Sequence, residues 1–266
     1  MLHSFKKGLY SSRLLTIRSG KKSYVQPIKY FKIMEIKNEN FDRRKFLKYS
    51  AVAGTVTGIV GLNLFSGCKE NSEEEVSPAE DLMREHGVLN RILLVYDTCI
   101  TKLTNEEQFP LGALTESAGI IRAFIEDYHE KLEENFLFPR FEKANQLTGL
   151  VTILKQQHLA GRTLTDQITH IAKSKTVSAD DNKTLIKLLT NFNKMYRPHE
   201  AREDTVLFPA LKKIVSSNEY DSLGEDFEKK EHELFGQDGF ESMVEKVATI
   251  EKQLDIYDLS KFTPTI

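Results

Sequence analysis

A chain of 266 residues with seven histidines writes one phrase twice: HEKLEENFLFP from His129 to Pro139 and HEAREDTVLFP from His199 to Pro209. Each has His-Glu at the start, Glu at the fifth place with an acid just after, and Leu-Phe-Pro at the end. A glutamate four residues after a histidine lies slightly more than one helical turn on, so the two side chains share a face. Glu133 therefore faces with His129, and Glu203 with His199. Two more histidines stand ahead of the phrases: His86 is 43 residues before His129, and His158 is 41 before His199. Four imidazoles and two carboxylates suit iron, manganese or zinc better than a soft metal or calcium. Two matching halves, each delivering a His and then His-x-x-x-Glu, suit a two-metal site bridged by the glutamates, and open positions on such a pair favour redox-active iron. Glu130 and Glu200, one place after the histidines, rotate about 100° away and are expected to face solvent.

Long helices must position these residues. SPAED offers Ser77 as N-cap with Pro78 in the first turn, and apolar stripes predict a helix to about Leu103 through Leu82, His86, Leu89, Leu93 and Tyr96. A second helix is expected from about Thr115 to Lys143, a third from about Leu147 to Lys173. A fourth, capped by Ser178 with Asp181 three on, runs to about Ile214. A fifth segment, about Tyr220 to Ile256, is interrupted at Gly236 and Gly239. Pro139 and Pro209 are expected to end or bend their helices, and Pro198 to kink one beside His199. The fold class is all-α: an antiparallel up-down four-helix bundle over residues 79–215, with a C-terminal helical extension over 216–266. One polar histidine on each apolar stripe is costly unless something satisfies it. A metal ion at the bundle centre satisfies all four together.

This constellation, His, then His-x-x-x-Glu, then His, then His-x-x-x-Glu, resembles the hemerythrin-like domains, also called the HHE cation-binding family, over about Ala79 to Val215. The resemblance implies a non-haem di-iron centre, oxo- or hydroxo- and carboxylate-bridged, that binds oxygen or related small molecules, with manganese or zinc as lesser candidates. It implies His86, His129, Glu133, His158, His199 and Glu203 as ligands. The oxygen carriers of the family have a histidine four after the third-helix histidine, where this chain has Arg162, and end in an aspartate where Glu203 stands. Four histidines instead of five would leave the two metals more alike, each with a solvent position. His232, in KKEHELFGQDGFE, is a candidate fifth imidazole from the extension. His170 lies twelve residues after His158, about 120° round the helix, and is expected to face elsewhere.

The first 68 residues read as a targeting segment. DRRKFLK places Arg43 and Arg44 before an apolar stretch that ends in LFSGC. This resembles a twin-arginine export signal with a lipoprotein cleavage box, in which Cys68 is lipidated and Met34 is a possible true start. An uncleaved signal anchor in the inner membrane is the alternative. Residues 69–78 read as an acidic tether. The expected location is the bacterial cell envelope, with the export machinery and a lipid bilayer as partners. A net charge of −2 gives no basic face for nucleic acid.

Three functions compete. The first is binding or sensing of oxygen, nitric oxide or a peroxide. The second is a di-iron enzyme that reduces peroxide or nitric oxide, or donates iron for cluster repair. The third is a structural metal-binding bundle, which zinc would favour with thiolates that the domain lacks apart from Cys99. A ferritin-like oxidase needs Glu-x-x-His twice, and only Glu126 to His129 supplies it, since Tyr196 precedes His199.

Overall fold

A computed structural model describes residues 76–174 and 177–265. All regular structure among them is helical. The first helix, α1, is Pro78–Thr104, with the Ser77 hydroxyl accepting the Glu80 N–H and Pro78 in its first turn. The second, α2 (111–143), is one rod of five consecutive segments. It is α-helical at Leu111–Ile120, π-helical at Ile121–His129, α at Glu130–Leu132, π at Glu133–Leu137 and α at Phe138–Lys143. Helix α3 is Thr148–Ala172. Helix α4 (179–214) begins at the expected capping box of Ser178 and Asp181 and runs as α through Ala179–Arg202, π through Glu203–Leu207 and α through Phe208–Ile214.

Pro139 and Pro209 do not end their helices. Each sits in the first turn of an α segment that follows a π turn. In that turn the Phe138 N–H bonds the Glu133 carbonyl and the Phe208 N–H bonds the Glu203 carbonyl, five residues back. The extra residue in the turn accommodates the proline, which has no N–H to give and would otherwise crowd the carbonyl four residues earlier. Pro198 lies inside an unbroken α segment.

Three short connections make sequence neighbours antiparallel. Contacts across two of the seams agree, because residue numbers rise on one helix as they fall on the other. Between α2 and α3, Arg122 bonds Asp166, Glu126 bonds Thr165 and Glu142 bonds Lys155. Between α1 and α4, Asn193 bonds the Leu93 carbonyl, while Asn90 bonds Glu200. The ring α1–α2–α3–α4 closes on a core that includes Leu82, Leu89, Phe124, Leu137, Leu185 and Phe192, all buried.

The extension forms α5 (Ser217–Phe235) and α6 (Gly239–Gln253), broken where expected: Gly236 takes φ of 83°, a region that favours glycine. Both pack against α1. Arg91 forms a salt bridge to the buried Glu251 at 2.5 Å, and the Arg84 guanidinium lies 4.6 Å from the centre of the Phe240 ring. Phe235 sits edge-on to Phe124 and Tyr128 of α2 at 5.6 and 5.4 Å.

Candidate metal centre

The four helices bring His86, His129, Glu133, His158, His199 and Glu203 together at the bundle centre, none more than 4% exposed. His86 and His129 face one another with Nε2 atoms 3.1 Å apart, and the His158 and His199 ring centres are 5.1 Å apart. Each carboxylate reaches from one imidazole pair to the other. Glu203 Oε2 lies 3.4 Å from His86 Nε2 and 3.1 Å from His199 Nε2. Glu133 Oε2 lies 3.4 Å from His158 Nε2 and 4.0 Å from His129 Nε2. Donor atoms of Glu133, His158, His199 and Glu203 all lie within 4.8 Å of one another, as do those of His86, His129 and Glu133.

Every imidazole is held from behind. The Nδ1 of His86 meets Asp204 at 2.7 Å, and that of His129 meets Glu85 at 2.7 Å. The Nδ1 of His158 meets Glu134 at 3.1 Å, and that of His199 meets the Gln157 amide oxygen at 2.9 Å. An acceptor at Nδ1 fixes the proton there and turns the Nε2 lone pair inward. Phe208 stacks on His86 at 5.4 Å, and Phe138 on His158 at 5.5 Å. These are the phenylalanines of the two Leu-Phe-Pro endings.

Inward lone pairs beside carboxylate oxygens repel unless a cation or proton lies between them. Both oxygens of Glu133, both of Glu203 and the Nε2 of His158 have no hydrogen-bond partner. Buried orphans of this kind cost stability, and a metal pair satisfies them together. Without metal, protons take that role. Burial lowers His86, but Asp204 and Glu203 overcome it and raise it to about 10. Burial drives His129 well below its usual value, and the neighbouring His86 adds to that. Burial and then Glu203 hold Glu133 well above the carboxylate range. Burial also raises Glu203, yet His199 and His86 bring it below that range.

Several expectations are corrected. Glu130 and Glu200 are buried, at 1% and 2% exposure, rather than solvated. Glu130 accepts the Tyr196 hydroxyl at 2.8 Å and pairs with Arg162 at 2.7 Å, while Glu200 accepts the Asn90 amide. Their rotation turns them from the centre but toward the neighbouring helix. Helix α5 leaves His232 exposed, with Glu228 3.9 Å away, so it does not join the cluster. Glu126 is bound to Thr165 and Arg122, away from the six ligands, which removes the single Glu-x-x-His match from the site. Cys99 is wholly buried in the apolar core, its thiol pushed up to about 12 by burial, and supplies no thiolate ligand.

The outer partners Glu85, Gln157, Glu134 and Asp204 lie outside the doubled His-x-x-x-Glu motif. The signal was present: Glu134 and Asp204 are the acids shared after the fifth place of both phrases, and Glu85 and Gln157 each precede the lone histidine.

The hemerythrin HHE cation binding domain family matches residues 77–211. Two uncharacterized proteins, one of Mycobacterium tuberculosis and one of Mycobacterium bovis, are each 46% identical to this chain over 237 residues. Each alignment covers 84% of this chain and 91% of the relative. No solved structure matches the chain. With its family match lying over the helices that hold the six buried histidines and glutamates, the chain belongs to the hemerythrin HHE cation-binding family.

Proposed function

We propose that this protein is an exported non-haem di-iron protein that binds or senses oxygen, nitric oxide or a peroxide. The observation that carries the reading is the set of inward Nε2 atoms around two carboxylates with no hydrogen-bond partner. His86, His129, His158 and His199 would hold the iron pair with Glu133 and Glu203 reaching between them. Bound there, iron would supply reversible electron transfer and coordination positions for a small ligand. The chain's own part is to orient and to exclude. Asp204, Glu85, Glu134 and Gln157 fix the imidazole tautomers, Phe138 and Phe208 lock two rings, and burial of all six ligands restricts entry to small molecules.

A second reading, turnover of peroxide or nitric oxide, is favoured by the absence of a fifth imidazole: Arg162 stands where the carriers have one, and His232 lies outside the cluster. Metal analysis of the purified protein with an optical spectrum in air tests both. Two irons and charge-transfer bands of a bridged pair support the proposal, and a colourless zinc protein overturns it. A reversible oxygen spectrum selects binding, whereas steady peroxide consumption selects turnover.

Export and lipid anchoring rest on Arg43, Arg44 and Cys68, which lie outside the described residues. Among those described, no helix is long and apolar enough to cross a membrane. Cell fractionation of the parent and of Cys68→Ala tests the anchor: release of the variant from the membrane fraction supports it.

A further inference from the structure

Arg162 follows His158 by one turn on α3, and its guanidinium reaches two carboxylates of α2. Nη2 lies 2.7 Å from Glu130 Oε2 and 2.7 Å from Glu134 Oε1. Neither carboxylate is idle. Glu134 holds the Nδ1 of His158, and the other oxygen of Glu130 takes the hydroxyl of Tyr196, whose ring sits edge-on to His199 at 5.5 Å. That hydroxyl occupies space that only a glycine leaves free: a Cβ at Gly161 would lie 2.0 Å from it. The guanidinium itself is largely buried, with 20% of its side chain exposed.

The same placement recurs in the other hairpin. Asn90 follows His86 by four residues, as Arg162 follows His158, and donates to Glu200, which follows His199 as Glu130 follows His129. The position four after each lone histidine thus serves one purpose twice: it fixes the glutamate beside the facing motif histidine. Arginine does more than asparagine there. Its Nη2 lies between two carboxylates, so one side chain ties the outer partner of His158 to a buried tyrosine. A guanidinium is always cationic and gives no lone pair, so it cannot itself be a ligand.

We infer that Arg162 is a positioning residue for the metal pair, aligning His158 through Glu134 and Tyr196 through Glu130. The inference rests on the metal-centre reading above. It also accounts for the departure from the carriers at this place: the chain exchanges an imidazole ligand for a clamp on the outer partners of the imidazoles it keeps.

Cobalt(II) titration of the full-length chain tests it, because the absorption bands report the ligand field whatever the native metal. Arg162→Gln should weaken cobalt affinity about 10–100-fold, the usual range for loss of an outer partner, and shift the bands. Glu134→Gln should shift them in the same direction. The double variant should be no worse than the weaker single one, since the Arg162 effect on His158 runs through Glu134. Arg162→Lys should restore part of the affinity. Arg122→Gln removes the next guanidinium along the seam, which binds Glu126 and Asp166. It should lower the unfolding midpoint and leave the bands unchanged.

Parent-like bands and affinity in Arg162→Gln, or fully additive losses in the double variant, overturn the inference. If Arg162→Gln does not fold, Arg162→Lys and Glu134→Gln decide: identical bands in both and the parent overturn it equally. A parent chain that binds neither cobalt nor iron overturns the metal-centre reading instead.

Discussion

The two hairpins, α1–α2 and α3–α4, build the centre by the same contacts and differ in what surrounds them. His86 is clamped by Asp204 and Phe208 of the other hairpin, and His158 by Glu134 and Phe138 of the other. His129 is held by the residue before His86, and His199 by the residue before His158. The correspondence breaks at three places. Behind the motif histidines, Glu85 is an anion and Gln157 a neutral amide. Four residues after the lone histidines, the first hairpin has Asn90 where the second has Arg162. Three residues before the motif histidines, the first has Glu126 where the second has Tyr196. The first hairpin also carries an additional π stretch at Ile121–His129, and α5 brings buried Glu231 beside Asp81 and Glu85. The repeated contacts therefore orient the four imidazoles, while the unequal ones set the charge around each half.

Removing the bridging carboxylates should break both halves together. Glu133→Ala or Glu203→Ala should each reduce the bound metal from two per chain to one or none, read by elemental analysis. Retention of two metals in either variant would deny that the carboxylates join the halves. Next in size is the charge difference behind the motif histidines. Glu85→Gln should weaken metal binding about 10–100-fold, whereas Gln157→Glu should leave it level or tighten it. Equal losses in a competition titration would mean that the anion at Glu85 gives the first half no advantage.

Two glycines sharpen the contrast on the scale of stability. Gly161→Ala forces its methyl group into the Tyr196 hydroxyl and should destabilise the protein by about 1–3 kcal/mol in urea unfolding. Gly87→Ala, one place after His86, meets nothing within 4 Å on an exposed helix face. It should stabilise by about 0.4–1 kcal/mol through the unfolded chain. A loss at both positions would show that α1 is packed as tightly beside His86 as α3 is beside Tyr196.

The clustering of the six histidines and glutamates and the four helices are legible because a 3.6-residue period and a doubled motif both act along a single helix. What escaped depends on neighbouring helices. Glu130 and Glu200 were expected in solvent from rotation about their own axis, but α3 and α4 cover Glu130 while α1 covers Glu200. The π turns at Glu133 and Glu203 are not visible as a period, although the two prolines six residues on were their trace. His232 was plausible by type and charge alone. Its place on α5 depends on how the extension packs against α1, through Arg91, Arg84 and Phe240, and no motif in the sequence announces that.

The bond from His86 to Asp204 spans 118 positions of chain. Its acceptor lies on the last third of α4, so a chain stopped before residue 203 has the first imidazole but neither the group that aims it nor the Glu203 carboxylate. Contacts of such separation form late, after the entropy of closing a long loop has been overcome. The full donor set therefore comes together only once α4 has closed against α1, so the centre depends on closure of the whole bundle and not on either hairpin alone.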